Sequence, residues 1–398
     1  MTSRGGASPR YLATSNGIGY LAYVNNATLY AVPFDPDKLE TRGTAVPIVD
    51  DVASNPTLGA AQVSFSSAPS GHGTLVYRKA NGGGAPPMTI VEWVDATGRK
   101  EPLLAKPGVY RNPSLSPDGK RVALAISDGG NSDIWVYDSQ RDTMTRLTFG
   151  GGHHNFPIWS PDGQYVVFTS VGQGIFQARA DGAAQPQPLT EGNVTQFPWS
   201  FTADGKRLAY SELASNYQIW TVPLEDQGGR LKAGKPEQFL KSGFADRLPA
   251  FSPDGRWLAY ESNESGKYEV YVRAFPPHNA VGVQSGKWQV SNNGGAAPRW
   301  SRTGHELMYM SGDQIMTASY TTKGDGRGDS FVHEKPRVWL AQLGAAAGNG
   351  TLWDLAPDSK RVAVLRSVES AETRKPDHEI VMLQNFFDEL QRRVPAMK

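Results

Sequence analysis

Short runs of β-branched and aromatic residues, roughly four to six long, recur along the whole chain and end in turn residues, without helical spacing between them. Residues 152–190 show one unit in full. Pro157-Ile158-Trp159-Ser160 is extended and stops at Pro161-Asp162-Gly163, where an early proline and a late glycine suit a tight reversal. Tyr165-Val166-Val167-Phe168-Thr169 follows at once, then Gly174-Ile175-Phe176-Gln177-Ala178-Arg179, then a weak outer run, Gln187-Pro188-Leu189-Thr190. That order predicts four antiparallel strands. The turn phrase returns as Ser116-Pro117-Asp118-Gly119 and Ser252-Pro253-Asp254-Gly255, with worn copies at Thr202-Ala203-Asp204-Gly205, Ser301-Arg302-Thr303-Gly304 and Ala356-Pro357-Asp358-Ser359. Copies about 40 to 55 residues apart mark one supersecondary unit used repeatedly.

Complete units are expected at 61–104, 108–148, 152–190, 194–240, 246–290 and 293–341, with end units at 9–50 and 350–385. Four antiparallel strands per unit is the blade of a β-propeller, so the fold class is all-β and residues 1–398 are expected to form a single domain. Eight blades are favoured. Seven result if an N-terminal strand completes the C-terminal unit, a common way of removing a free edge. Phe386-Phe387-Asp388-Glu389-Leu390-Gln391-Arg392-Arg393 has apolar residues at helical spacing, which predicts a short C-terminal helix over about 385–394, stopped by Pro395.

Charge narrows the partners. Lysine plus arginine (40) balances aspartate plus glutamate (39), so no basic field draws the chain to nucleic acid. The chain has no cysteine, which excludes disulfides, zinc-thiolate sites and cysteine nucleophiles and fits either the cytoplasm or the periplasm. No run approaches the roughly 18 apolar residues of a membrane span. Met1-Thr2-Ser3-Arg4-Gly5-Gly6 has no export signal, so the chain as written is expected in the cytoplasm unless it is cut from something longer.

The turn phrases and the aromatic third strands resemble the WD40-like repeats of TolB-type propellers and the propeller domains of prolyl oligopeptidase and dipeptidyl peptidase IV. Several stretches look more specifically like the extracytoplasmic propeller at the C-terminus of bacterial membrane-anchored serine/threonine protein kinases. They are Gly19-Tyr20-Leu21-Ala22-Tyr23 with Ala31-Val32-Pro33-Phe34-Asp35, the run from Arg256-Trp257-Leu258-Ala259-Tyr260 to Gly266, Tyr268-Glu269-Val270-Tyr271-Val272-Arg273, and Lys287-Trp288-Gln289-Val290-Ser291. The resemblance implies a periplasmic or extracytoplasmic setting. It implies no reaction: the kinase nucleotide and catalytic loops are absent, and so is a Gly-x-Ser-x-Gly nucleophile elbow.

Inner strands line a propeller's channel, so residues just before each Pro-x-Trp/Phe-Ser phrase are expected to share its mouth. They make a polar ring of candidate ligand-binding residues: Arg111, Asn112, His154, Asn155, Gln196, Asp246, Arg247 and Asp354. His153 and His154 with Asp246 could ligate a divalent metal, Zn, Mn or Ca, although neighbours in a strand point to opposite faces and a solvated pair is the plainer reading. Arg111 and Arg247 could clamp a carboxylate or phosphate, or each could pair with an acid. The repeated Asp of the turn phrase is read as backbone geometry, the Arg-Gly-Asp triplet at 327–329 as a connector, and Glu261, Asn263 and Glu264 as a hairpin tip.

Two functions remain. One is a non-catalytic sensor or scaffold that recognises a small polar ligand, a peptide or a protein at the channel. The other is a hydrolase of esters, lactones or phosphotriesters, in which a channel metal activates water. No catalytic residue can be named from the sequence.

Overall fold

The computed structural model describes residues 7–14, 19–25, 27–55, 60–66, 73–79, 88–128, 131–192, 194–276, 286–323, 330–344, 352–368 and 379–394. The Arg-Gly-Asp triplet lies outside them. Among the described residues strands dominate, with one helix, Phe386–Arg393, where the sequence predicts it. No helix among them is long and apolar enough to cross a membrane. Where the repeat predicts one domain, the chain divides into two compact units, Met1–Pro86 with Glu369–Lys398, and Pro87–Val368.

Among its described residues the Pro87–Val368 unit holds six sheets. Five follow the repeat in order from the inner strand outward. Blade 2 starts at Tyr110–Leu115, blade 3 at His154–Trp159, blade 4 at Thr195–Phe201, blade 5 at Asp246–Phe251 and blade 6 at Ala296–Trp300. Blade 1 is composite. Its inner strands, Trp353–Leu355 and Arg361–Ser367, come from the end of the unit, and its outer strands, Thr89–Asp95 and Lys100–Gly108, come from the start. Pairing from Thr89↔Ser367 to Asp95↔Arg361 joins them without a break.

A hydrophobic cluster separates each blade from the next. Ile134 and Val136 meet Trp159 and Phe168; Val167 and Ile175 meet Leu208 and Tyr210; Ile219 meets Phe251 and Leu258; Trp257 and Val272 meet Trp300 and Leu307. Met308 and Ile315 then meet Trp353 and Val362, and Val91 and Leu365 meet Leu115 and Leu124. Six seams between six blades close the ring. Each fully buried large apolar side chain contributes about 1.5–3 kcal/mol, so the seams are the main source of stability. Indoles fix their register: Trp159 Nε1 donates to Ser114 O and Trp300 Nε1 to Ala250 O, each at 2.9 Å, across to the preceding inner strand.

The turn phrases behave as predicted. In blade 3, Ser160 Oγ donates to Asp162 Oδ1 at 2.5 Å, Asp162 accepts the Gln164 N–H at 3.0 Å, and Gly163 stands at φ 69°. Ser116-Asp118-Gly119, Thr202-Asp204-Gly205 and Ser252-Asp254-Gly255 repeat this arrangement. These donors, first the Thr202 hydroxyl and then the Lys206 N–H, hold the Asp204 carboxyl below its ordinary pKa.

The other unit carries two larger sheets. Residues 9–50 give the first, built on Ala7–Ala13, Gly19–Asn25, Thr28–Asp35 and Val46–Val49. The second joins Val63–Ser66, Thr74–Arg78 and Ile380–Leu383. The C-terminal helix buries Phe386, Phe387 and Leu390 in a cluster with Leu12, Tyr20, Leu75 and Tyr77. Tyr20 Oη donates to Val394 O at 3.0 Å and locks the helix end.

The expected units at 61–104 and 350–385 therefore need correction. Their strands are exchanged: Thr74–Arg78 pairs with Ile380–Leu383, while Thr89–Asp95 pairs with Arg361–Ser367. A tight turn forces its flanking strands to pair, but the ten residues from Lys79 to Met88, with their Gly-Gly-Gly-Ala-Pro-Pro run, impose no hairpin. Eight repeats still yield eight sheets of three or more strands among the described residues, six of them in the closed ring.

Candidate functional site

Five of the ring's six inner strands share one irregularity. Pairing slips between Arg111 and Ser114, Asn155 and Ile158, Pro198 and Ser200, Arg247 and Ala250, and Ala296 and Arg299. In four of these strands a non-glycine residue takes a positive φ (Asn112, Phe156, Leu248, Ala297) and a proline follows it. Such bulges cost strain and re-aim the next side chain.

The re-aimed residues Ser114, Ile158, Trp199, Ala250 and Arg299 line a central cavity of about 450 Å³, and Asp354, from the unbulged inner strand of blade 1, completes the contribution of all six inner strands. Most of its lining side chains are apolar or aromatic, with Phe156 against Trp199 at 5.4 Å between ring centres, but polar atoms make up about half of its exposed wall. One ion pair interrupts it. Arg299 Nε lies 3.3 Å from Asp354 Oδ1, and Asp354 also accepts the N–H groups of Leu115 at 2.8 Å and Leu355 at 3.0 Å. Arg302 adds a second cation at the rim.

Of the residues singled out from the sequence, Asp354 alone is among those lining the cavity. Arg111 is exposed. Asn112 and Asn155 are buried, and Asn112 Nδ2 has no hydrogen-bond partner. Gln196 is part of a recurring clasp. Thr190 Oγ1 donates to Gln196 Oε1 and accepts the Ile175 N–H, just as Thr148 serves Asp133 and Ile134, and Ser291 serves Glu269 and Val270. Asp246 is buried beside Ser242, which donates to it, and burial pushes its carboxyl up.

Arg247 forms no anion clamp with Arg111. It pairs with Glu261 and stacks on Tyr268 at 4.0 Å and Tyr217 at 5.5 Å. Glu261 is thus no hairpin tip: it lies within Trp257–Ser262, is 1% exposed, and accepts the Ala297 N–H of the next blade at 2.9 Å.

The histidine pair splits as strand alternation requires, His153 outward and His154 half-buried. His154 sits edge-on to Phe168 at 5.4 Å, and burial pushes its imidazole pKa down. No group of three or more His, Asp or Glu side chains gathers closely enough to hold a metal among the described residues, so His153, His154 and Asp246 do not assemble into the three-ligand set. Sequence reasoning missed Arg299, Trp199 and Ile158. The signal was the residue just after the proline in five of the six inner strands.

Comparison with known proteins fits this geometry. The family model for the TolB beta propeller domain matches residues 83–232. The Tol-Pal system protein TolB of Francisella tularensis subsp. tularensis (strain WY96-3418) is 29% identical over 200 residues, covering 49% of this chain and 44% of the relative. The corresponding protein of subspecies mediasiatica (strain FSC147) is 28% identical over the same extent. The match thus spans under half the length of these curated relatives. A solved structure assigned as TolB from Agrobacterium tumefaciens aligns with a TM-score of 0.51 at 16% identity, covering 72% of this chain and 100% of that one. Residues 83–232 are thus similar to the TolB beta propeller domain.

Proposed function

We propose that the chain is a non-catalytic binding propeller whose central cavity in Pro87–Val368 takes a short segment of a protein partner. One observation carries this reading: six inner strands wall a cavity of about 450 Å³ in which aromatic and aliphatic side chains surround the Arg299–Asp354 pair, with Arg302 and serines beside it. Apolar and aromatic lining side chains beside a comparable share of polar atoms suit a peptide segment, which brings both apolar side chains and a polar backbone. The kinship with proteins named for the Tol-Pal system supports a protein partner. An extracytoplasmic setting belongs to this reading through the family resemblance.

The experiment is selection of displayed random peptides on the full chain, followed by affinity measurement against Ile158→Arg, which fills the cavity. Selected peptides should bind the wild type and lose about tenfold or more in affinity, some 1.4 kcal/mol, on the variant. Peptides indifferent to Ile158→Arg, or none selected at all, would overturn the reading.

A further inference from the structure

Every described sheet of three or more strands except one carries a further strand beyond its third. The exception is the sheet Val63–Ser66, Thr74–Arg78, Ile380–Leu383. Ile380–Leu383 stands in the third place with no described strand outside it, and Ile380 and Met382 are 68% and 60% exposed. Third strands elsewhere, such as Asn131–Asp138 and Glu269–Ala274, are mostly buried.

The chain cannot fill the place from its usual source. In the other sheets the outer strand is the chain that follows the third strand. Here that chain turns at Asn385, φ 55°, directly into the helix Phe386–Arg393, whose Phe386, Phe387 and Leu390 are buried. The unit's remaining segments, such as Ala80-Asn81-Gly82-Gly83-Gly84-Ala85-Pro86 and Glu369-Ser370-Ala371-Glu372-Thr373-Arg374-Lys375-Pro376, carry no run of strand-forming apolar residues. The edge is only four residues long, which by itself limits strand addition, but it lacks the other usual protections. It holds no lysine, proline or bulge, and it pairs in unbroken register from Ile380↔Arg78 to Leu383↔Leu75. Glu379, at its start, is already paired with Lys79, with Nζ 3.6 Å from Oε2.

We propose that this edge is a homodimer interface, with Ile380–Leu383 of one chain pairing antiparallel to Ile380–Leu383 of a second copy. The vacant place calls for an antiparallel neighbour, and a two-fold axis sets two copies of one strand antiparallel. One pairing then fills both vacancies, which no single strand of another protein does. Ile380 and Met382 lie on one face of the strand, so the joined sheet sets the apolar side chains of both copies side by side.

Sedimentation of the full chain over a concentration series should show a monomer–dimer equilibrium. Ile380→Lys with Met382→Lys should raise the dimer dissociation constant about tenfold or more, because an edge lysine opposes strand addition. Val332→Lys, at an exposed position on another strand, should leave it unchanged. Both changed residues in the first variant are exposed, so the fold should survive. A second readout needs no charge change: the chain has no cysteine, so Met382→Cys places a lone thiol at the interface, and mild oxidation should yield a disulfide-linked dimer. In the wild type, amide exchange over 380–383 should slow as concentration rises. A monomer at every concentration with unchanged exchange, or a dimer indifferent to the two lysines, would overturn the proposal.

Discussion

Asp354, in the inner strand of blade 1, accepts from Arg299 of blade 6 at 3.3 Å and from the Leu115 N–H of blade 2 at 2.8 Å, so one carboxylate ties three blades together. The tie sits on the composite blade, where strands from the two ends of the unit meet.

Removing the two partners should therefore have unequal effects. Their side chains are only 20% and 19% exposed. Asp354→Ala takes the acceptor from two backbone N–H groups, Leu115 and Leu355, and leaves the Arg299 guanidinium only Pro298 O, so we expect a loss of about 2–4 kcal/mol. Arg299→Leu leaves the carboxylate its two backbone donors, and about 1 kcal/mol is expected. Urea titrations of both variants check the order, and equal losses would mean that Asp354 does not bridge the blades.

Glu261 should be the most sensitive single acid in the ring. Its carboxylate holds Arg247 within blade 5 and the Ala297 N–H of blade 6. Glu261→Ala leaves both unpaired in a buried place, and the expected loss is about 3–5 kcal/mol. Arg247→Met should cost less, because a methionine side chain can still pack on Tyr268 and Tyr217. A double-mutant cycle under denaturant would expose the coupling, and additive losses would mean the pair is not linked.

These ties show where the sequence was legible. Phrases such as Ser160-Pro161-Asp162-Gly163 encode a turn with local chemistry alone, so strand order and blade content could be read directly. The exchange of Thr89–Asp95 and Ile380–Leu383 could not, because the segments before them are long and leave the choice of partner to tertiary packing. The lining was misplaced for a different reason. A bulge at Asn112, Phe156, Leu248 or Ala297 shifts the alternation of its strand, and residues expected at the channel, such as Gln196 and Arg247, are engaged by Thr190 and Glu261 instead. Arg299 stayed hidden because its copy of the phrase, Ser301-Arg302-Thr303-Gly304, is worn.

The repeated aspartates make a separate claim on stability. Asp162→Ala removes the acceptor for the Ser160 hydroxyl and the Gln164 N–H, and we expect about 1 kcal/mol of destabilisation. Gly163→Ala should cost a similar amount, about 1 kcal/mol, because φ 69° strains any residue with a Cβ. Thermal unfolding measures both. Peptide affinity at the cavity should be unchanged in Asp162→Ala, and a loss there without a loss of stability would give this aspartate a binding role.

His154 should make the fold sensitive to mild acid. Burial holds its imidazole below the ordinary histidine pKa, so the folded chain keeps it neutral while the unfolded chain takes up a proton near pH 6.5. Its contribution is complete above that pH and is lost as pH falls through the ordinary value toward the depressed one. Asp246 acts in the opposite sense. Its raised pKa makes the folded chain the stronger proton binder, so its contribution grows as pH falls through the raised value toward the ordinary carboxylate range. Glu261, also raised by burial, acts in the same sense as Asp246, and since both acids are common to the wild type and a His154 variant, the difference between the two chains from pH 7 toward pH 5 isolates His154. His154→Phe, which keeps an aromatic ring against Phe168, should flatten the decline of unfolding free energy across that interval. If wild type and variant lose stability in parallel, the imidazole is not the group responsible.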